Sequence, residues 1–314
     1  MNRIKVHLDT DIGGDIDDLC ALALLLKWPD AEITGITTVL EDDGRRAGYA
    51  RYALALAGRH DVPVAAGADV RLGRFGLEAG LPPEERYWPE PVRPLPGPLE
   101  AALDLLRQSI EREAIVVGTG PFTNLSLLER RSPGILGDAT LCLMGGSIHP
   151  PPPAFPAWDH EMDYNVQADS SAAKHVLESA HPTLVPIEVT VQTALRRSHL
   201  PALQRSGPLG RLIARQAEAF AREWRNEERY GRTCVGLPHD IINFQHDPLA
   251  CAVALGWDGV TVETLPLALE LEGDRLRERI DVGGRPLRVV TRVDRGRFDA
   301  FWLDTVAGRP TPNV

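Results

Sequence analysis

The stretch Lys5-Val6-His7-Leu8-Asp9-Thr10-Asp11-Ile12-Gly13-Gly14-Asp15-Ile16-Asp17-Asp18-Leu19-Cys20-Ala21-Leu22-Ala23-Leu24-Leu25-Leu26 decides the fold and points to the chemistry. A short apolar run reads as a buried strand, a glycine-containing turn follows, and an apolar helix opens with carboxylates in its first turn. Five aspartates fall within ten residues (Asp9, Asp11, Asp15, Asp17 and Asp18). Helix capping accounts for one or two of them, because Asp is favoured at N-caps and in first turns. It does not account for five. Like charges held this close destabilise the fold unless something neutralises them. A hard divalent cation, which takes oxygen ligands, is the simplest neutraliser.

Working outward, strands alternate with helices. The pattern predicts a strand over 32–39, a helix over 46–57, a short strand over 62–65, a helix over 99–111 and a strand over 114–117. A turn at 118–125 opens another helix, and a strand over 140–144 ends in Gly145-Gly146. A helix over 170–179 and a strand over 183–187 follow, then a long charged helix over 209–229 and a short buried one over 248–255. The tail, 260–293, alternates as hairpin strands do, with turns at Glu272-Gly273-Asp274 and Gly283-Gly284, before a last helix over 297–306. This predicts a mostly parallel, Rossmann-like α/β sheet with helices on both faces and a C-terminal hairpin extension. No repeat or linker divides the 314 residues, so one domain is expected. Two irregular stretches interrupt the alternation. Residues 71–98 carry many prolines and the pair Tyr87-Trp88 and read as a long surface loop; residues 149–164 carry four consecutive prolines and Trp158.

Apolar content of 43% and charged content of 25% are ordinary for a globular protein. A formal charge of −10 argues against nucleic acid or an anionic membrane as partner. No segment has the length of a membrane span and no signal peptide precedes the first strand, so a cytoplasmic protein is expected. The four cysteines (Cys20, Cys142, Cys234 and Cys251) lack metal-ligand spacing.

In open α/β sheets ligands bind beyond the carboxyl ends of the strands, where the polar clusters fall. Besides Asp9 to Asp18 these are Glu41-Asp42-Asp43, Thr119 to Asn124, Asp163-Tyr164-Asn165 and His246-Asp247. Each also has a plain structural reading: Thr123-Asn124 as a helix entry, Glu41-Asp42-Asp43 as a solvated loop, and His246-Asp247-Pro248 as an N-cap followed by an N1 proline. An Asp9-x-Asp11 phosphotransferase pair with Mg²⁺ is a further reading, but the downstream Lys and Ser/Thr it needs are not evident.

The opening motif Asp9-Thr10-Asp11-Ile12-Gly13-Gly14-Asp15-Ile16-Asp17-Asp18 resembles that of the inosine-uridine-preferring nucleoside hydrolases. Gly120-Pro121-Phe122-Thr123-Asn124, Met144-Gly145-Gly146 and His246-Asp247-Pro248-Leu249-Ala250 match in order along the rest of the chain. The resemblance implies a single α/β domain that binds one Ca²⁺, hydrolyses the N-glycosidic bond of nucleosides and assembles as a homodimer or homotetramer. It implies Asp11 as metal-bound general base, Asp18, Asp247 and the Thr123 carbonyl as metal ligands, and Asp17 on a ribose hydroxyl. Asp163 and Asn165 match a Glu-x-Asn pair that holds the sugar, and His246 matches a proposed acid for the leaving base. Trp224 and Tyr230 are candidates for stacking on that base.

The chain also departs from the pattern. The spacing before Asp17-Asp18 is longer, making Asp15 a possible extra ligand or a rival of Asp17 for the sugar. Glu41-Asp42 stands where the family has Gly-Asn, which puts an acidic Asp42 at a neutral sugar contact. The expected His is not evident around 74–81, and Asp163 is shorter than the usual Glu. Metal and water chemistry therefore look intact while sugar and base recognition look altered.

Overall fold

Strand β1 (Ile4–Thr10) is an interior strand whose C-terminal half is fully buried, and this burial organises the strands on either side of it. In the computed structural model, which describes residues 3–69 and 80–308, β1 pairs in parallel with β2 (Ala31–Thr38) on one side and β4 (Ile115–Gly118) on the other. The remaining strands are β3 (Val64–Ala66), β5 (Leu141–Met144), β6 (Thr183–Val185), β7 (Ala194–Arg196), β8 (Ile241–Phe244), β9 (Val260–Glu272), β10 (Arg275–Ile280) and β11 (Arg285–Val293). Among the described residues nine strands form one sheet in the order β10-β9-β11-β6-β5-β4-β1-β2-β3; β7 and β8 form a separate antiparallel pair. The large sheet is parallel from β3 to β11, and β9 and β10 add an antiparallel hairpin at its edge.

Successive strand side chains point to opposite faces, and here both faces are covered. Val117, Cys142 and Met144 join one apolar cluster with Leu22 and Leu249, whereas Val116, Leu141 and Leu143 join another with Leu106 and Leu125. The central strands therefore read as near-continuous apolar runs, as buried parallel strands do. Their polar residues are paired: His7 is fully buried between Ser109 Oγ and Thr37 Oγ1, each 2.9 Å away. Burial pushes the His7 pKa down to about 3, so the ring is neutral. No helix of the described residues is long and apolar enough to cross a membrane.

The expected α/β sheet with its hairpin extension is present, and four local readings change. The helix expected over 209–229 stops at Trp224, because Arg225 adopts a left-handed conformation (φ 52°), and a separate helical turn follows at Glu227–Gly231. The last helix starts earlier, at Arg295, capped by Asp294. In the stretch read as a surface loop, residues 70–79 lie outside the described residues. Within 80–98, Tyr87 and Trp88 are buried, and Trp88 stacks on Tyr49 at 4.3 Å. The β7–β8 pair was not anticipated; it is too short to show a period.

Chain order runs outward from β1 through β2 to β3, then returns to β4 beside β1 and continues to β5 and β6. The direction of winding reverses between β1 and β4. Ligands bind at such a switch point, beyond the strands' carboxyl ends.

Candidate active site

The aspartate-rich turn lies at that switch point. Gly13 occupies the left-handed region (φ 106°), and a Cβ there would sit 2.5 Å from Tyr49 Cδ2, so this turn requires glycine. Asp17 and Asp18 occupy the first turn of the helix Asp17–Lys27, and Asp247 the first turn of the helix His246–Ala254. The two helices pack together through small and apolar side chains, Leu19 to Leu24 against Leu249 to Ala252. This packing brings their N-termini face to face: Asp247 N–H donates to Asp17 Oδ2 at 3.4 Å. Carboxylate oxygens of Asp17, Asp18 and Asp247 all lie within 4.8 Å of one another, and all three residues are buried.

Burial and mutual repulsion, to which Asp11 contributes, raise the pKa values of Asp17, Asp18 and Asp247 well above the ordinary carboxylate range. One guanidinium moderates this field. Arg46 is fully buried, donates to the main-chain carbonyls of Leu40 (2.8 Å), Asp11 and Ile12, and favours the charged forms of Asp11 and Asp18. A dense, all-oxygen, anionic donor set fits a hard divalent cation, and the two helix N-termini and the arginine favour the ionised form of its carboxylates.

The carboxylates are oriented by a hydrogen-bonded layer beneath them. Asp18 Oδ1 accepts from the hydroxyls of Thr10 and Thr119, the latter at 3.1 Å. Asp9 Oδ1 accepts from Thr37 Oγ1 at 2.5 Å and Asn124 Nδ2 at 2.7 Å. Asn124 also donates to Thr38 O and accepts from Ala68 N, each at 2.9 Å, tying together the ends of β1, β2 and β3. A Cβ on Gly120 would sit 3.1 Å from Asp11 Oδ1, so the 118–125 turn lies directly against Asp11. Asp15 Oδ1 accepts from Asn243 Nδ2 on β8 at 2.6 Å. Thr123 is fully buried, and its hydroxyl donates to Asp169 at 2.7 Å.

A second wall faces this cluster. His246 Nδ1 lies 2.7 Å from Thr190 Oγ1, and burial depresses its pKa to about 4, so the ring is neutral at pH 7. Its ring neighbours are Trp158, near-parallel at 6.1 Å, and Phe244 at 5.5 Å; Tyr230 packs edge-on against both. On the remaining side, Asn165 Nδ2 donates to Thr119 O at 3.1 Å and Met144 O at 3.2 Å. Asp163 accepts from Gly146 N at 2.5 Å and caps the short helix Tyr164–Gln167.

The fold thus brings Asp11, Asp15, Asp17, Asp18, Thr123, Asp163, Asn165, Tyr230, His246 and Asp247 to one end of the sheet. Two candidates point elsewhere. Asp42 is solvent-exposed and ion-paired with Arg45 at 2.8 Å, while its neighbour Glu41 turns inward to accept from Thr38 Oγ1 and Ala47 N. Trp224, 49% exposed, ends its helix stacked on Phe220 under the Arg229 guanidinium, outside the His246 aromatic wall. Asp17, expected on a sugar hydroxyl, sits among the clustered carboxylates. Trp158, Phe244, Asn243, Thr190 and Arg46 complete the site without a local sequence signal; only the position of Phe244 and Asn243 just before His246-Asp247 hints at theirs.

The family model described as inosine-uridine preferring nucleoside hydrolase matches residues 6–300. The chain belongs to that family. This hydrolase is therefore an N-ribosyl hydrolase by class. It is 27% identical over 267 residues to the pyrimidine-specific ribonucleoside hydrolase RihA of Citrobacter koseri, covering 80% of this chain and 78% of the relative. With the RihA protein of Salmonella arizonae the identity is 26%, covering 86% and 85%. Among solved structures, the hydrolase superposes on a purine-preferring ribonucleoside hydrolase from Gardnerella vaginalis with a TM-score of 0.79 at 25% identity, covering 97% of this chain and 98% of that one. It also superposes on a plant nucleoside hydrolase with a TM-score of 0.78 at 22% identity, covering 98% and 99%.

Proposed function

We propose that this hydrolase cleaves the N-glycosidic bond of a ribonucleoside with water in a Ca²⁺-dependent reaction, releasing free base and ribose. The observation that carries the reading is the convergence of Asp17, Asp18 and Asp247, with oxygens within 4.8 Å, beside Asp11 at the switch point of the sheet. These three carboxylates would hold the cation, with Asp11 and the Thr123 carbonyl as the further ligands that the family resemblance implies and Asp15, where the chain departs from the family pattern, as an extra one. Bound Ca²⁺ would supply positive charge that attracts the sugar's hydroxyl oxygens and lowers the pKa of water.

The chain's own groups do the rest. Asp11 takes the proton from the attacking water. The carboxylate field favours the positive charge that develops at the sugar's anomeric carbon as the bond to the base lengthens. Asn165 and Asp163 orient the sugar from the β5 side. Thr190 Oγ1, 2.7 Å from Nδ1, orients the His246 ring, which we assign as the group that assists departure of the base. Trp158, Phe244 and Tyr230 shield that base from water. A soluble, cytoplasmic homodimer or homotetramer acting in nucleoside salvage is the setting this reading implies, built as one domain over residues 1–314.

A second reading is favoured by one observation: Asp42 turns to solvent and Asp163 spends its carboxylate on Gly146 N and Val166 N. The sugar contacts are then those of a modified glycoside, or of a binder that does not hydrolyse. Incubation with a panel of purine, pyrimidine and sugar-modified nucleosides, with free base detected by chromatography, separates the readings. Release from ordinary ribonucleosides supports the first. Release from modified ones alone supports the second, and binding without release shows a binder.

A further inference from the structure

Immediately beyond Gly146, whose N–H holds Asp163, the chain leaves β5 and lines a cavity of about 400 Å³. Residues 147–151 and 157–160 form one wall and β10 of the hairpin extension forms the other. The volume lies in the range of small-molecule pockets, roughly 300–1,000 Å³. Trp158 belongs to both places: it lines this cavity, and its ring neighbours include His246 of the site described above. The cavity therefore adjoins that site on two sides, at Asp163 beside the proposed sugar position and at Trp158 in the aromatic wall.

Its chemistry is mixed. Trp158 provides an aromatic surface, His149, His160, Arg277 and Arg279 provide donors, and Glu278 lies in the wall. Glu278 is 4% exposed, and among the described residues neither of its carboxylate oxygens has a well-formed hydrogen bond, the main-chain N–H groups of Ser147 and of Glu278 itself favouring its charged form only in part. Burial, with Asp163 and Glu188 nearby, pushes its pKa well above the ordinary range. A buried acid left without a well-formed hydrogen bond is costly. Arg277 and Arg279 pair with Glu272 on the neighbouring strand at 2.9 and 2.7 Å, in pairs that are half-exposed and so cheaply rearranged. Several acids close to the arginines disfavour an anion, and the arginines disfavour a cation. A neutral ligand with many hydroxyls satisfies both sets, since each hydroxyl donates and accepts, and an aromatic face suits the apolar side of a sugar ring.

We infer that this cavity is a subsite for a second, uncharged sugar-like unit attached to the nucleoside, so that the preferred substrates are glycosylated nucleosides. The inference rests on the hydrolase reading above. If the carboxylate cluster takes the 2′,3′-diol through the cation, O5′ is the hydroxyl left to carry the extension. The reaction is unchanged: the bond from C1′ to the base breaks, water supplies the new oxygen at C1′, and its proton leaves with the base. The other product is then a disaccharide.

The test measures binding by calorimetry in the presence of Ca²⁺ on the unaltered protein, using C-nucleosides, whose carbon-linked base water does not release, so that turnover does not interfere. Plain C-nucleosides are compared with the same compounds bearing a 5′-O-glycosyl unit and with their 5′-phosphates. The glycosylated forms should bind at least ten-fold more tightly than the plain ones. Arg277→Ala and Glu278→Gln should each remove most of that gain, with plain-nucleoside affinity within two-fold and unchanged melting temperature. In the active protein, kcat/KM for base release should show the same preference, mainly through KM. Equal affinity for plain and glycosylated forms overturns the subsite, and tighter binding of the phosphates replaces it with an anion site. Failure to release base from any nucleoside overturns the hydrolase reading instead and leaves the binding comparison to decide the subsite.

Discussion

The two walls of the site are built in different ways. The carboxylate side comes largely from one contiguous motif, Asp9 to Asp18, joined by Asp247 through packing of two apolar helices. Its side chains are buried and oriented by Thr10, Thr119, Thr37 and Asn124. The aromatic side is assembled from Trp158 in a proline-rich segment, Tyr230 in an irregular helical turn, and Phe244 and His246 at the end of a two-stranded ribbon. One side is fixed by the central sheet and the other by loops around it. In such an arrangement the rigid side carries the reaction and the looser side selects what reacts.

The largest effect should come from the rigid side. Asp11→Asn should lower kcat by about 10²–10⁴-fold, the range for losing a general base, measured at Ca²⁺ concentrations that saturate the variant, with the fold intact by circular dichroism. A loss below ten-fold would remove Asp11 from the base role. On the other wall, Trp158→Ala should act mainly on substrate selection, raising KM for at least one base by roughly ten-fold, on the scale of an aromatic contact of about 1 kcal/mol or more. Steady-state kinetics with a purine and a pyrimidine nucleoside would check it. An equal loss in kcat for both would blur the division between the walls.

Stability against pH should also distinguish them. Glu188 accepts from Ile148 N and His149 N at 3.2 and 3.0 Å, anchoring the proline-rich segment, and burial raises its pKa to about 7. A folded-state pKa above the unfolded one means that the folded protein binds the extra proton. The associated stabilisation is complete below about pH 4.5 and is lost as pH rises through 7. Glu188→Gln should flatten this part of the unfolding profile by roughly 2–3 kcal/mol, measured by urea titration between pH 4.5 and 8. An unaltered slope would place the pH sensitivity elsewhere. The smallest effects are expected outside both walls: Trp224→Ala and Asp42→Ala should change kcat/KM by less than about two-fold, since both side chains face solvent.

The same division governs what the sequence reveals. The helices Leu99–Glu111 and Ser170–Ser179 fall where periodicity and capping place them, and the parallel sheet follows from alternating apolar runs. Asp17 and Asp18 are legible because clustered carboxylates are costly and therefore informative, whereas Asp247, remote in sequence, is reached as a metal ligand only through the family resemblance. Trp158 and Phe244 are not, since an aromatic residue in a loop or strand reads as packing until the fold places it beside His246. Trp224 misleads for the opposite reason: Arg225 ends its helix in a left-handed turn and leaves the ring on the surface, a backbone change that composition does not announce. Arg46 is hidden most completely, a buried charge whose partners, the carbonyls of Leu40, Asp11 and Ile12, have no signature in side-chain pattern.

The most direct test of the account is a Ca²⁺ titration of metal-stripped protein, following base release and ion binding together in the unaltered chain and in Asp247→Asn. The account predicts no release without a divalent ion, activity that rises in step with binding of one Ca²⁺ per chain, and weakened binding in the variant. Base release at full rate from protein shown to contain no divalent ion would contradict it.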